Sequence, residues 1–377
     1  MRRASGHQSQ GIYTGSAGHR LTAELASPLA QESAGPLETV SFVVPTFRRP
    51  DALAKTLAAL ARTDFSRERL EVIVVDDGAD SETRSIVERF REELPRIRYL
   101  SQPNHGAARA RNHGAREAQG DMLIFLDDDI LVEPEHVKSH LAAQQRFDSG
   151  LVNGHWEFAP DVAAQLEATP FGQFRIWLEQ WIKDGILKSP LDGARVAPAE
   201  VTACNLSIRR ELFWRLGGFD EDFPFAGYED QEFSYRAAQA GCQFVYDRDI
   251  RLLHNDPRVT LRQFCTRQER GAMTAVYLAA KHPSKYAARP LITENSPVSR
   301  RDSPRLIAKK TAKRALSPKP VLALGHAAID LLERVRPNSR VLRRAYWSIC
   351  GLYIYRGVRR GLEVTPVPSA DRGVTPP

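Results

Sequence analysis

Hydrophobic runs alternate with amphipathic segments from residue 39 onwards. Continuous apolar runs predict buried strands at 39–45, 70–78 and 122–126, with a shorter strand at 97–100. Apolar positions that recur with the helical period predict helices over the segments that separate these strands, at 51–62, 81–94 and 106–119. Strands that alternate with helices of this length predict a parallel sheet covered on both faces.

The pattern is less regular after residue 150, where an aromatic-rich piece is followed by predicted helices at 229–240 and 261–281. A Pro- and Ser-rich stretch at 283–304 predicts a linker, and basic amphipathic helices are predicted at 321–335 and 341–358. The predicted organisation is a flexible arm (1–37), an α/β domain (38–283), a linker (284–320), a basic amphipathic helical extension (321–363) and a flexible tail (364–377).

Charge is distributed unevenly along the 377 residues, which carry a net charge of +7. Between Arg300 and Arg360, 16 Lys and Arg residues stand against three acids, a local balance of +13, so the remainder carries −6. Basicity is therefore a property of the C-terminal part. The acidic main domain argues against a general polyanion binder, and no nucleic-acid partner is expected.

Cysteine spacing and hydropathy indicate the compartment. The cysteines stand far apart without a CxxC pair, which predicts neither a zinc site nor a disulfide framework and is typical of a reducing compartment. The N-terminal residues show no apolar run of a secretory signal, and no charge-free apolar stretch of about 18 residues is present. The sequence predicts a cytoplasmic protein, with peripheral contact to the inner face of the cell membrane as a hypothesis.

Polar residues cluster where the predicted strands end. The strand ends are Pro45-Thr46, Asp76-Asp77-Gly78 and Asp127-Asp128-Asp129. In parallel sheets, ligands bind beyond the carboxyl ends of the strands. Three adjacent carboxylates repel one another, and a bound Mg²⁺ or Mn²⁺ with substrate phosphates relieves that repulsion. The alternative is a solvated acidic turn.

The remaining candidates each have a functional and a structural interpretation. A carboxylate at Asp76 or Asp77 can accept bonds from a base or a ribose, or can mark the start of the next helix. Arg109 and Arg111 lie on one helix and can grip a pyrophosphate, or can form surface ion pairs. Which interpretation applies depends on the neighbours of each side chain.

Acids at a helix start and a histidine after an apolar run are further candidates. Glu229 and Asp230 open a predicted helix, where one of them can act as a general base or both can cap the helix. His254 ends the segment IRLLH and can ligate a metal as neutral imidazole, or can be structural.

Five segments in this order resemble the family 2 inverting glycosyltransferases with the GT-A fold, over about 39–283. The segments are VVPTFRRPDALAKTL, VIVVDDGAD, NHGAARARNHGAREAQGDMLIFLDDD, NLSIRRELFWRLGGFDEDF with YEDQEFSYRAAQAG, and RLLH. The resemblance implies an α/β fold of GT-A type, with a Rossmann-like, mostly parallel sheet flanked by helices. The basic helical C-terminal extension lies outside the similar region.

On the donor side, the resemblance implies that Asp76 or Asp77 contacts the base, at the strand ends that include Pro45 and Thr46. Arg111 would lie beside the donor. Asp127 and Asp128 would lie near the ribose.

On the metal and acceptor side, the resemblance implies that Asp127 and Asp129 correspond to the DXD motif of the family. Asp129, with Asp127 and His254, would hold the Mn²⁺ or Mg²⁺ that bridges the diphosphate. Asp230 would be the general base, with Glu229 beside it.

Two departures from the family pattern bear on the donor. Arg48 stands where the family often has Asn, and Ala79 where it has Ser or Thr, so the base is open and UDP is a guess from the family. The QxxRW motif of processive members is absent, and residues 267–271 are a loose echo of it. The implied activity is non-processive transfer of single sugars from a nucleoside-diphosphate sugar to a hydroxyl of a glycan or lipid-linked glycan.

The basic extension and the rival functions leave alternatives open. The apolar faces of residues 300–360 can lie in the headgroup layer of an anionic membrane, or can pack on the catalytic domain or a second subunit. The headgroup hypothesis rests on Tyr346, Trp347, Ile349, Leu352, Tyr353 and Ile354.

Rival functions are a nucleotidyltransferase, for which PTFRRPDA lacks the glycines of a phosphate loop, and a non-catalytic polyanion- or membrane-binding scaffold.

Overall fold

The computed structural model describes residues 37–147, 150–186, 195–196, 201–223, 226–256, 258–337 and 339–365. They form two compact units. The α/β unit comprises the described residues of 24–172 and 189–260, and the helical unit those of 173–188 and 261–377. The predicted arm and tail lie almost wholly outside the described residues.

The α/β unit contains nine strands in its described part. They are β1 (Val40–Thr46), β2 (Leu70–Asp76), β3 (Ile97–Ser101), β4 (Met122–Leu126), β5 (Ile130–Val132), β6 (Leu151–Phe158), β7 (Arg195–Val196), β8 (Asn205–Arg209) and β9 (Phe244–His254). The helices are α1 (Pro50–Leu60), α2 (Ser81–Arg89), α3 (Ala107–Glu117), α4 (His136–Phe147), α5 (Pro160–Glu167), α6 (Pro170–Ile186), α7 (Arg210–Arg215) and α8 (Glu229–Gln239). From Gln173 onwards, α6 belongs to the helical unit.

All nine strands join one mixed sheet in the order β3-β2-β1-β4-β8-β6-β9-β5, with β7 paired to β9. Strands β3, β2, β1 and β4 are parallel, as the alternating pattern predicts. Strand β8 then runs antiparallel to β4, so the sheet is mixed beyond that point. The chain winds from β1 to β3 and returns to the other side of β1 as β4, which makes the β1–β4 edge the switch point where ligands bind.

Helices cover both faces of the parallel strands because every residue of β1 and β2 except Pro45 is buried. Phe42 and Val44 share one core with α1, α2 and α4, whereas Val43 shares the other with α3 and α8. Gly114 lets α3 lie close to the sheet, since a Cβ there would stand 2.6 Å from Val43 Cγ1. The fold class is confirmed.

A buried histidine network links α4 to β8. His140 Nδ1 lies 2.9 Å from Ser207 Oγ and its Nε2 lies 2.9 Å from Asn205 Oδ1. The ring of His136 stands edge-on to it, with centroids 4.7 Å apart. Burial lowers the pKa of His140 to about 4 and holds that of His136 well below its usual value, so both are neutral in the folded protein at pH 7.

This network predicts a loss of stability in acid. The folded-state pKa of His140 is below its unfolded value, so its contribution declines as the pH falls below about 6.5. At pH 4.5 the free energy of unfolding should be lower by about 2 to 3 kcal/mol from His140 alone. Urea unfolding at pH 7 and pH 4.5 measures this change in the free energy of unfolding. His140→Gln should reduce the difference between the two pH values and exposed His105→Gln should not; equal differences would contradict the assignment.

The helical unit contains the end of the chain. Besides most of α6 it holds α9 (Leu261–Lys281), α10 (Pro283–Tyr286), α11 (Pro290–Thr293), α12 (Pro304–Leu316), α13 (Lys319–Val335) and α14 (Arg340–Val364). Helix α14 approaches α9 closely at Gly357, where a Cβ would stand 2.1 Å from the carbonyl oxygen of Glu269. None of the described helices combines the length and apolarity needed to cross a bilayer.

The structure differs from the predicted linker and domain limit. Helices α10, α11 and α12 lie wholly or mainly within 284–320, because Pro283, Pro290 and Pro304 occupy first-turn positions that favour helix initiation. The sequence pattern alone indicates a break there because proline also ends helices. Helix α9, predicted inside the α/β domain, belongs to the helical unit.

The apolar face of α14 packs inside the helical unit. Tyr346 is 1% exposed and Ile349 4%, and the Tyr346 ring lies 5.0 Å from that of Phe174 between centroids. Trp347, Leu352, Tyr353 and Ile354 are half-buried. The hypothesis that this face lies in lipid headgroups is therefore wrong for Tyr346 and Ile349, which are covered within the same unit. For the four half-buried residues it stays a prediction.

Two cysteines that are far apart in sequence are neighbours in the helical unit. Cys265 on α9 and Cys350 on α14 are buried, with their sulfur atoms 3.4 Å apart and not bonded. The sequence spacing gave no sign of this pair, since only the packing of α9 on α14 brings the thiols together. Cys204 and Cys242 are also free.

Candidate active site

The predicted site residues meet at the carboxyl ends of β1, β2 and β4. Thr46 pairs in register with Asp76 across β1 and β2. The triplet 127–129 follows β4, the neighbour of β1 on its other side. His254 ends β9 and pairs with Ile130, directly after the triplet. The topology therefore brings residues from four segments to this end of the sheet.

The three carboxylates of the triplet have different partners. Asp127 is 36% exposed, and its Oδ1 accepts a 2.6 Å hydrogen bond from Arg111 Nη2. Asp128 is buried and accepts bonds from Thr46 Oγ1 and Arg49 Nη1, each at 2.7 Å. Asp128 thus ties the acidic turn to β1, and Asp127 is the member that is open to a ligand.

Asp129 points towards His254. Its Oδ2 accepts a 2.8 Å bond from Arg49 Nη2, while its Oδ1 lies 3.2 Å from His254 Nε2. That Oδ1 atom is buried and accepts no well-aligned hydrogen bond from the residues that the structure describes. The ring of His254 is held edge-on against Trp156, with centroids 5.6 Å apart. The buried oxygen and the imidazole nitrogen therefore form a close polar contact whose geometry is poor for a hydrogen bond.

This arrangement fits a divalent cation. Oxygen and imidazole are suitable ligands for Mn²⁺, and a Mg²⁺ or Mn²⁺ ion takes its remaining ligands from water and substrate phosphates. Within the described ranges, no three acidic, histidine or cysteine side chains converge on one metal position. Asp129 and His254 would hold the metal, with Asp127 on the open side.

Burial and charge set the ionisation of the triplet. Burial raises the pKa of Asp128 to about 7, against the opposing charge of Arg49. Burial also acts to raise the pKa of Asp129, but His254 and Arg49 outweigh it and hold that pKa below its usual value. Asp129 therefore stays ionised at neutral pH, as a metal ligand must.

Arg111 connects Asp127 to Glu229. Its guanidinium is buried and donates from Nη1 to Glu229 Oε1 at 2.8 Å and from Nη2 to Asp127 Oδ1 at 2.6 Å. Burial acts to lower the pKa of the Arg111 guanidinium, but the charges of Asp127 and Glu229 outweigh this effect and raise that pKa above its usual range. Arg109 lies outside the site, half exposed and 3.4 Å from Glu221. The residue pattern alone did not rank the two arginines, whereas the family resemblance pointed to Arg111. In the structure Arg111, and not Arg109, lies between Asp127 and Glu229.

Asp230 lies beside this pair at the start of α8. Glu229 also accepts the Gly227 amide, so it is held on both oxygens. Asp230 is half-buried and accepts the amides of Gln231 and Ala203. Burial, followed by the charge of Glu229, raises its pKa to about 7. A carboxylate poised at this pKa is suited to proton abstraction at neutral pH.

The carboxylates of Asp76 and Asp77 accept hydrogen bonds from neighbouring groups of the protein. Asp76 is fully buried and accepts from the amides of Gly78 and Asp80 and from Tyr99. Asp77 accepts the amides of His105 and Gly106, in the loop directly before α3. Their predicted contact with a base stays a prediction, and in this structure their carboxylates shape the loops after β2 and before α3.

Backbone strain surrounds the site. Non-glycine residues with positive φ in the described ranges are Arg48 (53°), Ala79 (50°) and Tyr228 (72°). They follow β1, follow β2 and precede α8, so each lies in a loop that borders the site. Left-handed residues of this kind cost about 1 kcal/mol or more each and cluster at functional sites.

Arg49 is the site residue that the sequence interpretation missed. Its side chain is one-third exposed and bridges Asp128 and Asp129 from the N-terminus of α1. The signal was its position directly before Pro50, which fixes the start of α1 at the end of β1. Its contact with the triplet could not be predicted, because it depends on the pairing of β1 with β4.

Comparisons with known proteins show what this chain is similar to. Residues 41–217 match the family described as Glycosyl transferase family 2. Validoxylamine A glucosyltransferase of Streptomyces hygroscopicus subsp. limoneus is 33% identical over 252 residues, 61% of this chain and 54% of that protein. The glycosyltransferase YfnE of Bacillus subtilis (strain 168), named as uncharacterised, is 27% identical over 290 residues, 64% of this chain and 74% of that protein. The chain thus spans about half the length of the first of these curated relatives.

Among solved structures, the mannosyltransferase PcManGT of Pyrobaculum calidifontis, in complex with GDP-Man and Mn²⁺, is similar in fold. The TM-score is 0.58 at 18% identity, and the match covers 89% of this chain and 91% of that one.

Proposed function

Because this chain belongs to the family 2 glycosyltransferases, we propose that it moves a single sugar from a nucleoside-diphosphate sugar to an acceptor hydroxyl with inversion. The observation that carries the proposal is the bridge from Arg111 to both Asp127 and Glu229. It joins the DXD turn to the acidic pair that includes the proposed base. The nucleotidyltransferase and scaffold hypotheses do not account for that pairing.

On the acceptor side, Asp230 takes the proton from the attacking hydroxyl. Glu229 is fixed by Arg111 and by the Gly227 amide, so it positions the first turn of α8 and keeps Asp230 in place. Attack by the activated oxygen on the face opposite the leaving group inverts the anomeric carbon. This single displacement requires one base and no enzyme nucleophile.

On the donor side, Asp129 and His254 would hold a Mn²⁺ or Mg²⁺ ion, with Asp127 beside them. When bound, such an ion offsets the negative charge that builds on the leaving diphosphate. Pro45, Thr46, Asp76 and Asp77 border the position proposed for the nucleotide. Asp128, held by Thr46 and Arg49, keeps the turn in place for the ribose.

A donor panel tests this proposal. UDP, GDP, dTDP and CDP sugars, including glucose and mannose donors because the relatives are named for glucosyl and mannosyl transfer, are assayed by thermal shift with Mn²⁺ or EDTA. A donor at 100 times its dissociation constant stabilises the fold by about 2.7 kcal/mol. We expect a metal-dependent shift with a UDP sugar, lost in Asp129→Ala and kept in Asp230→Asn. No shift with any nucleotide would contradict the proposal.

The raised pKa of Asp230 predicts the pH profile of transfer. The base acts when deprotonated, so kcat/KM should be level above about pH 7 and fall about tenfold per unit below it. Glu229→Gln removes a negative charge beside Asp230 and should move the inflection to lower pH. Initial rates from pH 5 to 9 measure both. An inflection that Glu229→Gln leaves in place would show that another group titrates.

The acceptor is proposed to be a glycan or a lipid-linked glycan, at the inner face of the cell membrane. The basic stretch 300–360 supports this through its attraction to anionic lipid.

The anomeric configuration of the product, determined by NMR, tests whether transfer inverts the anomeric carbon. Retention would contradict a single displacement.

A further inference from the structure

Helix α13 is apolar on two opposite faces, and only one of them is covered in the described structure. The inner face is buried through Leu322, His326 and Ile329, each 4% exposed or less. The outer face presents Leu324, Leu331 and Val335, which are 72%, 61% and 66% exposed. A helix inside one folded unit needs one apolar face, so the second has no role in the packing that is described.

The outer residues form a continuous stripe. At 100° per residue, positions 324, 328, 331 and 335 lie within about 60° of one another, and the stripe is about 16 Å long. Position 328 is an exposed alanine. We call these four residues the α13 stripe. Exposed apolar patches of this kind mark interaction sites.

Basic side chains surround the C-terminal end of the stripe. Five exposed arginines lie between residues 334 and 344, at the junction of α13 and α14, and the described structure gives them no ion pair. They are Arg334, Arg336, Arg340, Arg343 and Arg344. From Leu324 to Arg344 the acids are Asp330 and Glu333, so this stretch has a net charge of +3. Exposed Val341 adds apolar surface among the arginines.

We propose that the α13 stripe and the five arginines dock on the surface of an anionic lipid bilayer. This extends the membrane contact of the proposed function and assigns it to a more exposed surface than the α14 face, on which Tyr346 and Ile349 are buried. Leucine and valine enter the boundary between headgroups and acyl chains, and the arginines pair with lipid phosphates at its rim.

Charge complementarity favours a bilayer over other occupants. A second copy of the chain meeting the stripe across a twofold axis would bring two surfaces of +3 together, which opposes association. A nucleic acid would match the charge, but the stripe offers aliphatic side chains rather than rings on which bases stack. An anionic bilayer satisfies both the apolar and the basic component.

Vesicle co-sedimentation of the full chain tests the proposal without donor or acceptor. We expect binding to phosphatidylcholine vesicles that contain phosphatidylglycerol, and much weaker binding to phosphatidylcholine alone. The triple change Arg340→Gln, Arg343→Gln and Arg344→Gln should weaken partitioning about a hundredfold. The double change Leu324→Glu with Leu331→Glu should weaken partitioning to these vesicles at least as strongly. Added salt should weaken the partitioning of the wild-type protein.

Matched controls keep the test independent of folding and activity. Exposed Val298→Glu, and the triple change Lys55→Gln, Arg89→Gln and Arg248→Gln at exposed cations of the α/β unit, should leave binding unchanged. The stripe variants should keep the donor-induced thermal shift, so a failure of the transferase proposal is seen separately. Absence of binding to anionic vesicles, or binding that ignores the stripe, would overturn the proposal. A dimer that Leu331→Glu dissociates would instead assign the stripe to self-association.

Discussion

Replacing Asp230 by asparagine is expected to slow sugar transfer by about 10²- to 10⁴-fold. The amide has the shape of the acid and can still accept the Gln231 and Ala203 amides through its oxygen, but it cannot take a proton from the acceptor. The change falls on kcat rather than on donor affinity, because the donor contacts proposed here lie at other residues. Initial rates at pH 8, where the wild-type base is ionised, measure the effect.

The control for this prediction is Asp222→Asn. Asp222 is an exposed carboxylate eight residues earlier in the chain, so its removal should leave the rate within twofold. Asp230→Asn should also keep the melting temperature and the donor-induced shift. If Asp230→Asn retained more than a tenth of the wild-type rate, the proton would be taken elsewhere and Glu229 would become the candidate.

Replacing Arg111 by methionine should be the most damaging change to stability in the site. Methionine fills similar volume but leaves Glu229 buried with one amide donor and Asp127 without its partner. Breaking a buried ion pair by removing one member costs about 3 to 5 kcal/mol. Activity should fall below detection even in the folded fraction, since both acidic motifs lose the group that joins them.

Arg109→Met provides the matched comparison on the same helix. Its guanidinium is half exposed and its ion pair with Glu221 is loose, so a loss below about 0.5 kcal/mol is expected. Urea unfolding of both variants measures the difference. In the double variant Arg111→Met with Glu229→Gln, part of the loss should be recovered, because no buried charge stays unpaired at Glu229. Equal stability of the two single variants would refute the bridging role of Arg111.

The first half of the fold was predictable from sequence because its strands are buried on both faces. Runs such as those of β1, β2 and β4 are apolar throughout, and the helices between them have a regular period. Strands β6, β8 and β9 were not predicted, since they combine polar and apolar residues without clear alternation. Asn153, Asn205 and Ser207 are buried there, and long-range hydrogen bonds rather than local pattern satisfy them.

The residues of the candidate site could be named from the sequence, but the hydrogen bonds between their side chains could not. Strand ends are legible in a sequence, so Asp76, Asp127 and Asp129 could be named as candidates. Which carboxylate is accessible to a ligand depends on side chains from other segments. Thr46 and Arg49 donate hydrogen bonds to Asp128, and Arg111 donates one to Asp127. Such choices follow from packing across the sheet, which no local pattern records.

One buried guanidinium that serves two motifs also couples them energetically. Asp127 and Glu229 share the charge of Arg111, so a ligand that weakens or strengthens its bond to Asp127 should also change its bond to Glu229. The charge of Glu229 acts on the pKa of Asp230, so the same ligand should shift that pKa. Thermodynamic linkage requires the converse, that ionisation of Asp230 changes the affinity of that ligand by the same factor.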